Sequence, residues 1–275
     1  MRSSSALNLA LWQCPYAGSV AEALSRLDRA AGQARGQGAD LLVCPEMSLT
    51  GYAIGTDAIR ALTEPPDGAM AQAVGDVARR HGLAIVYGYP EQHPDGHRPF
   101  NAVQMVDADG APVARYAKTH LFGAMDRAQF SPGAEAPRVF PWRGWRVGLL
   151  ICYDVEFPET VRVLGLLGAD LVLVPTANMR AFDEVPRVLV PARACENRLW
   201  VAYANACGRD AAFEYGGLST LADPGGIIRV QSGREEDLPV FTLNPPAVRN
   251  AMEQPPWSHR RPELYRLLTA PPRTK

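Results

Sequence analysis

The chain has 275 residues, of which 47% are hydrophobic and 21% charged, with a formal net charge of −1. This is the composition of a soluble globular protein with apolar material for one large core. It excludes a polyanion-binding surface as the organising feature, and no apolar run is long enough to cross a bilayer.

The first apolar run, Leu7–Trp12, follows Met1-Arg2-Ser3-Ser4-Ser5. It is too short for a signal h-region and reads as a first buried strand, so a cytoplasmic protein is expected. Val20–Gln37 then places Ala23, Leu24, Leu27, Ala30, Ala31 and Ala34 on one stripe, the pattern of an amphipathic helix. Leu41–Cys44 is a strand, Ala69–His81 a helix and Leu83–Tyr89 a strand. From Tyr87 to Tyr116 the Asp95-Gly96 and Asp109-Gly110 turns predict hairpins, with Ala102–Val106 as one strand. Trp145–Cys152 is the most apolar strand. Helix Glu159–Leu167, strand Asp170–Pro175, helix Val185–Arg198 and strands Leu199–Ala204 and Ile227–Val230 follow. The alternation predicts an α/β layered fold with a mixed sheet. One domain over residues 1–275 is the economical reading, with a Pro-rich extension from about 245 that runs over the surface or onto a partner subunit.

The five cysteines, at 14, 44, 152, 195 and 207, are scattered and form no Cys-x-x-Cys or Cys/His cluster. Cys44 is expected as buried packing facing away from Glu46, and Cys195 as core. Cys152 is different in its company. Three strand ends carry chemistry: Leu41–Glu46 ends in a carboxylate, Arg115–His120 delivers the amine of Lys118, and Val147–Asp154 delivers the Cys152 thiol. Buried strands seldom end in charge, because an unpaired buried charge is costly. A structural Glu46–Lys118 ion pair beside an inert thiol is the alternative.

Cys44-Pro45-Glu46-Met47-Ser48-Leu49-Thr50-Gly51-Tyr52, Lys118–Gly123, Gly148–Glu159 and Arg260–Tyr265, in this order and spacing, resemble the nitrilase (carbon–nitrogen hydrolase) superfamily over nearly the whole chain. The resemblance implies an αββα sandwich, subunits paired as a homodimer or larger homo-oligomer, a Glu-Lys-Cys triad of Glu46, Lys118 and Cys152, and no metal or organic cofactor. In that scheme Lys118 favours the thiolate and the oxyanion, with the backbone N–H of Tyr153, and Glu46 shuttles protons. Asp126 stands where many members carry a second glutamate, and either supports Lys118 or substrate or pairs with Arg127 or another surface arginine. The residues after the cysteine, Tyr153-Asp154, resemble amidases rather than nitrile-hydrolysing members, whose counterpart is Trp-Glu.

Glu156 occupies the position where relatives that cleave N-carbamoyl amino acids hold an arginine. The inverted charge suits a cationic amine; capping of the next helix or an Arg162 pair is the alternative. Ile85–Glu91, Lys118–Gly123, Phe130–Gly133 and Val174–Met179 look similar to 5-aminopentanamidases, with stereoselective amino-amide amidases close by. The expected substrate is therefore a small aliphatic carboxamide, 5-aminopentanamide first, with cyclic or amino-acid amides and N-carbamoyl amines as alternatives. A non-catalytic binding protein on the same scaffold is the remote one. Tyr52 and Asn178 are expected to line the pocket, Phe182 and Trp200 to pack, and His120 to support the loop after Lys118.

Overall fold

The computed structural model describes residues 5–245 and 256–270. The first half runs β1 (Leu7–Leu11), α1 (Val20–Gly36), β2 (Leu41–Val43), α2 (Thr56–Ala61), α3 (Ala69–His81), β3 (Ala84–Glu91), β4 (Phe100–Val106) and β5 (Pro112–Ala117). Then come α4 (Gly123–Gln129), β6 (Val139–Trp142), β7 (Trp145–Leu149), α5 (Pro158–Leu166), β8 (Leu171–Thr176), α6 (Val190–Asn197), β9 (Trp200–Asn205), β10 (Thr220–Ala222), β11 (Ile228–Gln231) and β12 (Val240–Leu243).

The strands form two six-stranded sheets, ordered β12-β1-β2-β3-β4-β5 and β11-β10-β9-β8-β7-β6. Each has a parallel centre, β1-β2-β3 in one and β7-β8-β9 in the other, with antiparallel strands outside it. Their inner faces share one core. Leu9, Leu11, Leu41, Val43, Val86 and Met105 come from the first sheet, and Val147, Leu149, Leu171, Leu173 and Tyr203 from the second. Each large aliphatic side chain so buried contributes about 1.5–3 kcal/mol. The outer face of the first sheet (Ala10, Leu42, Ile85, Tyr87) is covered by α1 and α3 through Leu27, Ala31, Val74 and Ala78. On the other side α5 and α6 add Val161, Leu164, Val190 and Ala194. The result is the four-layer αββα sandwich.

Local chemistry sets the helix limits. The Ser19 side chain accepts the Glu22 N–H at 3.2 Å while Glu22 Oε2 accepts the Gly18 N–H at 3.0 Å, which closes the start of α1. At the end of α3, Gly82 takes a left-handed conformation, and its N–H caps the Ala78 and Arg79 carbonyls.

Three short strands, β6, β10 and β12, go beyond the sequence expectation. β6 contains Pro141 and lies at a sheet edge, where a missing N–H is tolerated. The expected strand Trp145–Cys152 stops at Leu149. The expected helix Val185–Arg198 opens as a π turn over Val185–Leu189 and becomes α-helical at Val190. The buried stripe of α6 is Val190, Arg193, Ala194 and Asn197, so Cys195, expected in the core, falls on the flank and is exposed. Arg193 takes the inner position instead. Cys44 is buried among the helix-facing residues of the first sheet, as expected. Residues 246–255 and 271–275 of the Pro-rich tail lie outside the described residues; residues 256–270 contain short 3₁₀ turns. Among the described residues, no helix is long and apolar enough to cross a membrane.

Candidate active site

The parallel centres of both sheets end on one side of the sandwich, and the loops leaving them, together with the segment after the edge strand β5, carry the candidate residues. Glu46 leaves β2 after Pro45. Its N–H reaches the Thr176 carbonyl of the facing sheet at 3.3 Å, and its own carbonyl accepts the Tyr16 hydroxyl at 2.8 Å. Met47 turns the chain with a φ of 50°. The turn presses directly on Gly88 of β3, where a Cβ would stand 2.3 Å from the Met47 nitrogen. Only glycine permits that approach.

Lys118 continues from β5, its N–H bonded to the Asn101 carbonyl at 2.8 Å. Its side chain is fully buried, with Nζ 2.8 Å from both Glu46 Oε1 and Asp126 Oδ2 and 5.6 Å from the centre of the Tyr52 ring. Asp126 Oδ2 also accepts the Phe122 N–H at 2.9 Å, while Arg127 reaches the Leu121 carbonyl. Asp126 therefore sides with the lysine, not with a surface arginine. Glu46 Oε1 accepts a second bond, from Asn101 Nδ2 at 2.6 Å, and Glu46 Oε2 is buried without a hydrogen-bond partner among the described residues.

Cys152 sits three residues beyond the end of β7 and begins a 3₁₀ turn, Cys152–Glu156. Its φ of 46° is a left-handed conformation that costs a non-glycine residue on the order of 1–3 kcal/mol. Asp154, fully buried, holds the turn. It accepts the Ile151 N–H at 3.2 Å, the Thr119 hydroxyl at 2.9 Å, the His120 N–H at 3.0 Å and the Tyr116 hydroxyl at 3.1 Å, and lies 2.8 Å from His120 Nδ1. The cysteine turn and the lysine loop are thus tied through one carboxylate. His120 stacks on Phe157 at 4.0 Å and supports that junction, as expected from the sequence. From the other side Arg193 donates to the carbonyls of Val155 (3.0 Å) and Glu156 (2.6 Å).

Burial, reinforced by Glu46 and only partly opposed by Lys118 and the Ala177 N–H, raises the Cys152 thiol well above its usual range. The resting sulfur is therefore protonated and needs a base. Burial also raises Glu46, with Lys118 opposing and Asp126 adding. For Lys118, burial works against the charge, but Glu46, Tyr52 and Asp126 outweigh it and hold the ammonium well above its usual range. Two carboxylates and one ammonium without exposure are a poor stability device, since desolvation offsets most of their attraction. Such a row is a mark of chemistry.

The sulfur opens onto a narrow cleft, about 40 Å³ in cavity volume, lined by Tyr52, Phe122, Tyr153, Glu156, Ala177, Asn178, Met179 and Phe182. All eight residues singled out in the sequence meet at this cleft or at the buried row beneath it. Phe182, expected as packing, is a cleft wall, and its carbonyl accepts from Asn178 Nδ2 at 3.0 Å. Among the described residues the Glu156 carboxylate makes no hydrogen bond or ion pair. Burial and then the neighbouring Glu184 raise its proton affinity. It does not cap α5, whose cap is Phe157, and Arg162 reaches Glu196 and the Trp257 ring. Asn101 and Asp154 were not assigned a role from the sequence. Its place as one of two polar residues, with Gln104, in the otherwise apolar β4 was the only available signal for Asn101.

A sandwich of this form with glutamate, lysine and cysteine converging at the sheet ends defines the nitrilase-like fold class. The chain belongs to the carbon–nitrogen hydrolase family, whose model matches residues 8–252. It is 46% identical to "Hydrolase in pqqF 5'region" of Pseudomonas protegens over 94% of this chain and 90% of that one. It is 39% identical to an (R)-stereoselective amidase of Pseudomonas sp over 82% of this chain and 81% of the relative. Among solved structures, a mutant of the amidase from Nesterenkonia sp. AN1, with the acetamide moiety of fluoroacetamide added covalently at the active-site cysteine, superposes with a TM-score of 0.82 at 34% identity, covering 96% and 97% of the two chains.

Proposed function

We propose that this protein is an amidase that hydrolyses a small aliphatic carboxamide through a Cys152 thioester. The observation that carries the reading is the fully buried Glu46–Lys118–Asp126 row, which leaves one glutamate oxygen, Oε2, without a hydrogen-bond partner among the described residues while the charge of Glu46 helps to hold the Cys152 thiol protonated. Glu46 takes the Sγ proton as sulfur attacks the amide carbon. Lys118 and the Tyr153 N–H receive the negative charge that develops on oxygen. The C–N bond breaks as Glu46 returns the proton to the departing ammonia. Glu46 then takes a proton from water, whose oxygen attacks the thioester; the C–S bond breaks, releasing the carboxylic acid, and the thiol is restored. Asp126 holds the lysine between two carboxylates, which keeps it an ammonium throughout.

The substrate that fits best is 5-aminopentanamide, cleaved to 5-aminopentanoate and ammonia. Glu156 on the cleft wall would pair with the distal ammonium, which would relieve the crowding of Glu156 by Glu184. The likeness to the (R)-stereoselective amidase favours a second reading, a cyclic or amino-acid amide with its amine at the same carboxylate. The chain is read as one domain, and copies are read as pairing into a homodimer or larger homo-oligomer, as the resemblance implies.

The test is ammonia release from 5-aminopentanamide, pentanamide, prolinamide and N-carbamoylputrescine, measured side by side for the wild type and Glu156→Gln. The expected order places 5-aminopentanamide first. Glu156→Gln should lower its kcat/KM by about 10- to 100-fold, the worth of one charge-assisted contact, and leave pentanamide within a few-fold. Pentanamide cleaved as well as 5-aminopentanamide by the wild type would remove the amine-recognition role, and prolinamide in first place would select the second reading.

A further inference from the structure

Of the four polar groups packed around Lys118, Asn101 has no part in the mechanism above. It sits near the start of β4 and is fully buried. Its register partner on β3 is Pro90, and its carbonyl takes the Lys118 N–H at 2.8 Å, so its backbone extends the β4–β5 ladder one step past Ala117. Its side chain reaches back toward the loop after β2, two strands away, where Nδ2 meets Glu46 Oε1 at 2.6 Å.

The orientation of the amide follows from charge. Turned over, it would set Oδ1 against a carboxylate oxygen at the same short distance, with no proton between them, so Nδ2 must face Glu46. That choice leaves Asn101 Oδ1 buried without a partner among the described residues. A buried orphan acceptor is a cost that folds avoid unless the other half of the group has a task.

We propose that Asn101 is a positioning residue that fixes which oxygen of Glu46 acts as the base. Lys118 Nζ (2.8 Å) and Asn101 Nδ2 (2.6 Å) both occupy Oε1. With two donors there, Oε1 is the poorer proton acceptor and the carboxyl group cannot rotate freely, so the Sγ proton goes to Oε2. The same bond stabilises ionised Glu46 against the burial and Asp126 charge that favour its protonation, and so keeps the base competent near neutral pH. The proposal rests on Glu46 being the base of the reading above.

Removing a donor from a carboxylate raises its proton affinity, and a base works only while ionised, so the acid limb of the pH–rate profile moves to higher pH. Two variants separate this from a folding effect. Asn101→Ala removes the side chain, and Asn101→Asp keeps its shape while replacing the donor; both retain the main-chain bond to Lys118. Two readouts are taken over the same pH range: kcat/KM for 5-aminopentanamide, and the rate at which iodoacetamide alkylates Cys152, which needs no turnover. In both variants the acid limb should move up by about one pH unit or more, with kcat lower by about ten-fold or more and KM changed little. A profile that falls in height without moving, or moves to lower pH, would overturn the role of Asn101. A shift in the alkylation profile of a protein that releases no ammonia from any amide would uphold Asn101 and reject the amidase reading.

Discussion

The two ends of the site are built on opposite principles. At the reacting end Glu46, Lys118, Asp126 and Asn101 are all fully buried, and the row is closed by bonds of 2.6–2.8 Å. At the far end Glu156 stands half-buried in a cleft walled by Phe122, Met179 and Phe182, with no bond of its own among the described residues. The first end draws its parts from three strand ends of one sheet and from α4, and is over-determined. The second sits on the 3₁₀ turn and loops of the other sheet, with Phe122 from the loop after β5, and is defined by few contacts. On the proposed reading, the difference teaches how one scaffold could keep its chemistry while its substrate changes: the groups proposed to move protons are locked into the core, and the one proposed to read the substrate is not.

The comparison breaks first if the closed end proves tolerant. Lys118→Met removes the cation between two buried carboxylates. Hydrolysis should fall by about a thousand-fold or more, as expected when electrostatic stabilisation of a developing charge is lost. Stability near neutral pH should fall by about 3–5 kcal/mol, because the carboxylates lose their partner. Glu46 is already raised in the folded protein and would rise further. The variant should therefore regain stability as pH falls through the folded value and lose it as pH rises. Chemical denaturation at two pH values checks this, and a stability loss that does not depend on pH would show that the row is not the cause.

A smaller effect is expected where the two sheets are joined. Asp154→Asn keeps the shape of the hub but presents a donor where the Thr119 hydroxyl and His120 N–H donate. The cysteine turn should loosen from the lysine loop, with kcat lower by about 10- to 100-fold and a melting temperature lower by a few degrees. Unchanged kcat with a lower melting temperature would make the hub structural only. Smallest is the effect of Glu156→Gln on an uncharged amide, where near-wild-type rates are expected; a large loss there would mean that the far end also serves the chemistry.

What the sequence made legible follows the same division. Glu46, Lys118 and Cys152 stood out because charge or a thiol at the end of an apolar strand is rare, and Asp126 because of its place in the loop after the lysine. The layered fold was legible in α1, α3 and the long central strands, whose buried faces are periodic. The short edge strands were not: β6 and β12 are mostly half-exposed and β10 has only three residues, so none carries a pattern of its own. Asn101 was hidden because its task is a side-chain bond across two strands, between residues 55 apart in sequence. Asp154 was visible beside the cysteine, but four of its five contacts are with β5 and the loop after it, more than 30 residues away in sequence. Cys195 was misplaced because the π turn before α6 resets which residues face inward, and Arg193 fills the inner place with bonds to two carbonyls.

The most direct measurement of the central claim is acid-quenched turnover of 5-aminopentanamide followed by peptide mass analysis, in the wild type and in Cys152→Ala. An acyl group should be found on the peptide that contains Cys152 during turnover, disappear as the amide is exhausted, and be absent from the variant, which should release no ammonia. Undiminished ammonia release by Cys152→Ala, or an acyl group on a different peptide, would contradict the account.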